Sequence, residues 1–346
     1  MDVVVHRVLL TALAGVCLLV PGLAAAAVRS SASASWAKPE IRIVVGRGLM
    51  APDLQSFRPD DALTRGELAD LEAGLRGRMA KRTTSPDAPV TMSELDRRLV
   101  GVLGLQGQAS AFSAVARAAG LTPPSRFGTE IVARLLGLRI NHPADQEELE
   151  RFPNEPAPRA EAAFSAARLL SLARWDDDRV RAAALSFTAP ALDGWQRRIL
   201  QTAFSLVGDP YVWGGETEAE GGFDCSGLVW RVYKLQQYPG ASTLAQTLKG
   251  RTTYAMSAEV PRSKRIRFTD LLAGDLVFFG AAGPRSQPSQ VDHMGIYVGN
   301  GWIVHSSRFG VTVVPLEGWY RDHFAWGRRP LAEAGLFAGG TTAAGG

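Results

Sequence analysis

The chain has 346 residues, 46% of them apolar, which suits about two globular domains with ordinary cores and excludes a disordered chain. Its formal net charge of +4 and isoelectric point of about 9.3 permit attraction to anionic polymers without demanding it. No lysine- or arginine-rich block and no basic–aromatic stripe runs through the sequence, which argues against nucleic acid as a partner.

At the N-terminus His6 and Arg7 precede an apolar run from Val8 to Val20. Pro21 and Gly22 end it, and Ala24 to Ala27 follow. A charged start, a short apolar stretch and small residues describe a secretory signal over residues 1–27, cleaved after Ala27. The run is shorter than the roughly 20 residues that span a bilayer, so no stable membrane span is expected after cleavage. Val16 before Cys17 does not suit a lipidation site. Losing Cys17 leaves Cys225 as the one cysteine. Exported proteins usually pair their cysteines, so a lone thiol is either a small buried hydrophobe or a reactive group.

Residues 28–35 read as a linker and 36–186 as a mostly helical region. Leu63, Leu68, Leu71 and Leu75 fall close to helical spacing, and Thr64 three residues before Glu67 is a capping-box pattern. Thr91 with Glu94 repeats it, and the segments from Phe127 and from Pro158 look related, which suggests a small helical repeat. A break at Thr188-Ala189-Pro190 ends this region. A second domain is expected over 195–330, followed by a low-complexity tail over 331–346.

The first repeat unit resembles an S-layer homology (SLH) repeat. It carries Trp36-Ala37, the turn Val45 to Leu49, the loop Phe57-Arg58-Pro59-Asp60-Asp61 and the helix start Leu63-Thr64-Arg65-Gly66-Glu67-Leu68 in that family's order. The later units are degenerate: Met92-Ser93 replaces the arginine, and Pro158-Arg159-Ala160-Glu161 lacks the threonine. The resemblance implies non-covalent attachment to anionic secondary cell-wall polymers. A plain helical packing domain is the alternative.

Three segments of the second domain carry chemistry: Pro210 to Gly215, Phe223 to Trp230, and Asp292 to Ser307. Leu228, Val229, Val232 and Leu235 follow helical spacing, so Cys225 stands at a helix start, with Asp224 or Ser226 able to cap it. Free N–H groups and the helix dipole there favour a thiolate and can hold an oxyanion. Of the histidines left after cleavage, His142 lies in a helical-region loop, while His293 and His305 sit on two apolar runs joined by Gly299-Asn300-Gly301, an expected antiparallel hairpin. A two-residue Asn300-Gly301 turn pairs His305 with Ile296, on the face opposite His293. A three-residue loop pairs Val298 with Trp302 and His305 with Gly295, so that both histidines share a face with no side chain between them. The three-residue form is expected. It makes Cys225, His293 and His305 a nucleophile, base and orienter. No clustered set has zinc spacing, and no metal or other cofactor is expected.

These segments resemble the NlpC-type papain-like cysteine peptidases of bacterial cell walls. The match spans about residues 195–330 and rests on Tyr211-x-Trp-Gly-Gly, Phe223-Asp-Cys-Ser-Gly-Leu-Val, Gly274-Asp-Leu-Val-Phe-Phe, and His293-x-Gly-Ile-Tyr-Val-Gly with a second histidine twelve residues on. The resemblance implies an α+β fold with the cysteine helix on an antiparallel sheet, and hydrolysis of peptidoglycan stem peptides between D-glutamate and a diamino acid. It gives Cys225, His293 and His305 the catalytic roles and lets Tyr211, Asp224 and Ser226 line the substrate site. Arg251, Thr252 and Thr253 stand where the family often has Arg-Thr-Ser, but Lys249-Gly250 replaces the preceding Leu-Pro. The protein is then secreted and associated with the cell wall or envelope. Competing readings are a related papain-like amidase or acyltransferase, and an inert wall-binding structural protein.

Overall fold

The computed structural model describes residues 31–337. The expected signal segment, Cys17 and the final glycine-rich residues lie outside them. Seven helices form the first part: α1 (Lys38–Gly46), α2 (Arg65–Leu75), α3 (Met92–Val102), α4 (Gln106–Ala118), α5 (Phe127–Leu135), α6 (Arg159–Ser171) and α7 (Arg174–Ser186). Thr64 closes a full capping box on α2: its hydroxyl accepts from Glu67 N at 3.2 Å and its own N–H donates to Glu67 Oε2 at 2.9 Å. Thr91 caps α3 one way only, and Pro158 offers α6 no side-chain cap.

The residues just before these three helix starts form a closed ring of backbone hydrogen bonds. Leu63 N donates to Ala157 O (2.8 Å), Ala157 N to Val90 O (2.8 Å) and Val90 N to Leu63 O (2.9 Å). All three side chains are buried. The ring identifies the true repeat units as those starting α2, α3 and α6. The segment from Phe127 is not equivalent: it takes no part in the ring, Phe127 N donating to Pro124 O, and α5 packs against α4. The one well-matched arginine of the repeats, Arg65, points outward toward Glu94 at 3.9 Å. Its counterpart Arg159 is buried, donates to Phe57 O and Met50 O at 2.7 Å each, and pairs with Glu67.

The second part opens on α8 (Gly194–Ser205), capped by Asp193. A small hairpin, β1 (Glu216–Thr217) and β2 (Gly222–Phe223), leads into the short helix α9 (Cys225–Trp230). Five antiparallel strands follow: β3 (Leu276–Gly280), β4 (Val291–Gly299), β5 (Trp302–Ser307), β6 (Gly310–Pro315) and β7 (Phe324–Arg328), in the order β6-β5-β4-β3-β7. Helix α9 packs on β4 and β5. This is the expected α+β arrangement. The sequence reading starts the tail at residue 331, but Leu331 is buried and Leu336 and Phe337 pack on the core, because the short helix Pro330–Glu333 returns the chain to the domain.

The two parts share one apolar core. Phe112 and Phe187 from the helical part meet Trp302 of β5 edge-on, with ring centroids 5.9 and 4.9 Å away. Helix α5 lies on β6, where Arg134 donates to Gly208 O at 2.5 Å. Arg126 donates to Val207 O at 3.0 Å and Ser205 O at 2.8 Å.

Arg159 satisfies two buried carbonyls and one carboxylate, so Arg159→Met should cost about 2–4 kcal/mol in urea unfolding. Arg65→Met, which removes a half-exposed pair, should cost less than about 1 kcal/mol.

Candidate active site

The cysteine helix is held from below by its own cap. Asp224 accepts from Gly227 N at 2.5 Å and from Ser226 Oγ at 2.9 Å through one carboxylate oxygen, and from Gly214 N at 2.9 Å through the other. Arg251 closes the brace. It donates to Ser226 Oγ (2.8 Å), Gly214 O (3.0 Å) and Gly215 O (3.1 Å), and pairs with Glu216. A β-carbon on Gly227 would stand 1.8 Å from Gly215 O, so the Trp-Gly-Gly loop and the cysteine helix touch backbone to backbone. Asp224, Ser226 and Arg251, read from the sequence as substrate-lining, are therefore already committed to one another. These bonds fix the start of the helix that carries Cys225.

Cys225 is buried and unpaired. Its sulfur lies 3.5 Å from Thr253 Oγ1, and the backbone N–H groups of Met294 and Ser226 favour its thiolate. The helix that carries the thiol packs on β4, the strand of His293. Tyr211 belongs to the same neighbourhood: burial raises its phenol, and the charges of Cys225, Asp224 and Glu147 push it the same way.

His293 and His305 lie on one face of the sheet. His293 Nε2 is 2.8 Å from His305 Nδ1, which leaves Nδ1 of His293 as the nitrogen available to a thiol. The pairing of Ile296 with Val304 is the expected register, reached by a different route. The turn has two residues, Asn300 and Gly301, both with positive φ (50° and 81°), and Gly299 pairs with Trp302. A bulge at Val298 absorbs the extra residue and restores the register from Tyr297 onward. A β-carbon at Gly295 would stand 3.0 Å from the Cβ of His305, so only glycine leaves the two imidazoles room to meet.

Residues that sequence reasoning did not find complete the setting. Tyr320 places its hydroxyl 3.3 Å from His305 Nε2. Phe279 stacks on His293 at 5.8 Å. Glu147, in the 3-10 turn Ala144–Leu149 of the helical part, accepts from Trp213 N at 3.2 Å beside the cysteine loop. Phe279 ends the Gly274-Asp-Leu-Val-Phe-Phe motif, whereas Tyr320 and Glu147 carry no local motif and are brought in by tertiary packing.

Burial governs the titrations. It pushes His293 down to about 4 and His305 well below its ordinary value, with His293 adding to the latter. It pushes the Cys225 thiol up; the Thr253 bond opposes this and the Asp224 carboxylate adds to it. Burial and the adjacent carboxylate thus oppose the pull of the helix start that the sequence reading expected to lower the thiol.

Two predictions follow from these charges. Asp224→Asn should lower the pH midpoint of Cys225 alkylation by iodoacetamide, and Arg251→Met, which unmasks the carboxylate, should raise it. Between about pH 6.5 and 4 the unfolded chain binds a proton at residue 293 that the native chain does not, so this residue makes stability rise with pH there and fall as pH drops. His293→Gln should flatten that limb in denaturation curves measured from pH 7 to 4.5.

Comparison with known proteins matches two parts of the chain to two family models. Residues 208–329 match the model of the NlpC/P60 family, and residues 30–69 that of the S-layer homology domain. The bifunctional muramidase/DL-endopeptidase CwlT of Bacillus subtilis (strain 168) is 36% identical over 127 residues, covering 36% of this chain and 33% of that protein. The murein DD-endopeptidase MepH of Escherichia coli (strain K12) is 36% identical over 128 residues, covering 36% and 42%. A solved NlpC/P60 family protein from Bacillus cereus ATCC 10987 aligns at 27% identity with a TM-score of 0.32, covering 41% of each chain. The chain thus spans a third to two fifths of the length of these curated relatives. It carries an NlpC/P60 domain and an S-layer homology domain.

Proposed function

We propose that this chain, with its NlpC/P60 domain, is an exported cysteine endopeptidase that hydrolyses peptidoglycan stem peptides, at the bond between D-glutamate and a diamino acid. Cys225 is the nucleophile, His293 the general base and His305 the group that orients it. The observation that carries the reading is the 2.8 Å contact between His293 Nε2 and His305 Nδ1, on the two strands against which the Cys225 helix packs.

In this mechanism His293 Nδ1 takes the thiol proton as the sulfur attacks the scissile carbonyl. Burial keeps this imidazole unprotonated at neutral pH and so free to accept the proton, which moves as the sulfur bonds to the substrate carbonyl. His305 holds the tautomer of His293 and shares the positive charge that develops on it. Tyr320 fixes His305 in turn. The oxyanion falls to the backbone N–H of Cys225 at the helix start. The imidazolium then protonates the leaving amine, and water, deprotonated by His293, releases the acyl group from sulfur.

Relatives of equal identity are named for DL- and DD-endopeptidase activity, so the choice of bond rests on the resemblance of the site motifs rather than on overall similarity. The S-layer homology match supports retention at the cell surface through anionic wall polymers, and no described helix is long and apolar enough to cross a membrane. We assign the helical region, residues 36–186, to attachment and residues 195–330 to hydrolysis.

Digestion of purified peptidoglycan with mass analysis of the fragments tests the proposal. Wild type should release cleaved stem peptides, Cys225→Ala none, and His305→Ala roughly a hundred-fold less. Equal cleavage by Cys225→Ala would remove the catalytic assignment. Cleavage at a D-alanyl bond would correct the specificity alone.

A further inference from the structure

A cavity of about 510 Å³ lies between the helical part and the sheet, and the hydrolytic reading makes no use of it. Helices α5 and α7 wall one side and strand β6 the other, and the cavity reaches His305 and Tyr320. Its volume is that of a small-molecule site. Leu135, Phe309 and Val314 give it an apolar lining.

Two of its polar groups lack partners. Thr312 is 1% exposed and its Oγ1 makes no hydrogen bond. Arg134 is 5% exposed; its terminal nitrogens are engaged with Glu130 and Gly208 O, but its Nε is unpartnered. Buried polar groups are nearly always satisfied, and an exception asks for an explanation. Both groups can donate, so what they lack is an acceptor. Arg179, a second guanidinium, stands at the exposed side of the same cavity, while Glu317 also lines it and disfavours a multiply charged occupant.

We propose that this cavity binds a small amphipathic monocarboxylate, its apolar body against Leu135, Phe309 and Val314 and its head accepting from Thr312 Oγ1 and Arg134 Nε. Thr312 pairs directly with His305 across β5 and β6, so the head sits beside the histidine that contacts His293. The site is separate from the cysteine, and its occupancy is read by binding rather than by turnover, so it stands or falls independently of the hydrolytic assignment.

Calorimetric titration of the intact protein with octanoate, with 1-octanol as the uncharged control, tests it. Octanoate should bind saturably at one site and shift the imidazole NMR signal of His305. 1-Octanol should bind roughly ten-fold more weakly. Ala182→Trp, which fills the cavity from an exposed helix position, and Thr312→Val, which keeps the shape and removes the unpartnered hydroxyl, should each weaken octanoate by at least roughly ten-fold. Thr312→Val should unfold no earlier than wild type, because the hydroxyl it loses is unsatisfied. Absence of saturable binding, unchanged affinity in both variants, or equal affinity for octanoate and 1-octanol would overturn the proposal.

Discussion

The register between strands β4 and β5 is the constraint on which the candidate site depends. Side chains alternate across a sheet, so a slip of one residue moves every one of them to the other face. Asn300-Gly301 makes the tight turn, and that turn alone would set His305 against Ile296 and separate it from His293. The bulge at Val298 adds the one residue that reverses this outcome. Gly295 then matters because it is the position between the two imidazoles, and Tyr320 because it reaches the far nitrogen of His305. Each of these features is useful only in that register.

The cysteine is positioned by a different kind of constraint, a polar brace made of groups that are individually unremarkable. Asp224 caps its helix, Ser226 and Gly214 share the carboxylate, and Arg251 ties the loop before the helix to the cap. An uncompensated carboxylate so close would hold the thiol protonated. Arg251 pairs with that carboxylate at 3.4 Å and fixes the geometry, while the carboxylate still adds to burial in raising the thiol.

The helical part is more than an appended module. Its backbone ring at Leu63, Val90 and Ala157 organises three helix starts, and its aromatic side chains complete the core under β5. Beneath the turn Ala144–Leu149 lies a buried charge cluster. Arg139 reaches Glu161 at 3.1 Å and Asp96 at 3.6 Å, and His142 bridges Glu150 and Glu161 at 3.1 Å each. Burial would lower His142, but the two carboxylates raise it to about 9, so it is charged at neutral pH. That cluster supports the turn from which Glu147 reaches Trp213, and so links the helical part to the rim of the cysteine loop.

The sequence by itself determined what depends on near neighbours. The capping box at Thr64 and Glu67, the cysteine at a helix start and the turn chemistry of Asn300-Gly301 are all local, and local backbone preferences express themselves wherever the chain goes. It also narrowed the histidine question to two registers. Tertiary structure alone decided the rest. A bulge leaves no composition signature, and Val298 reads as any other strand residue. The commitment of Asp224 and Ser226 to Arg251 joins segments 27 and 25 residues apart. The direction of the thiol's titration turned on burial, which no motif records. Charge, solvation and side-chain contact across distant segments are properties of the packed molecule, and only the packed molecule could settle them.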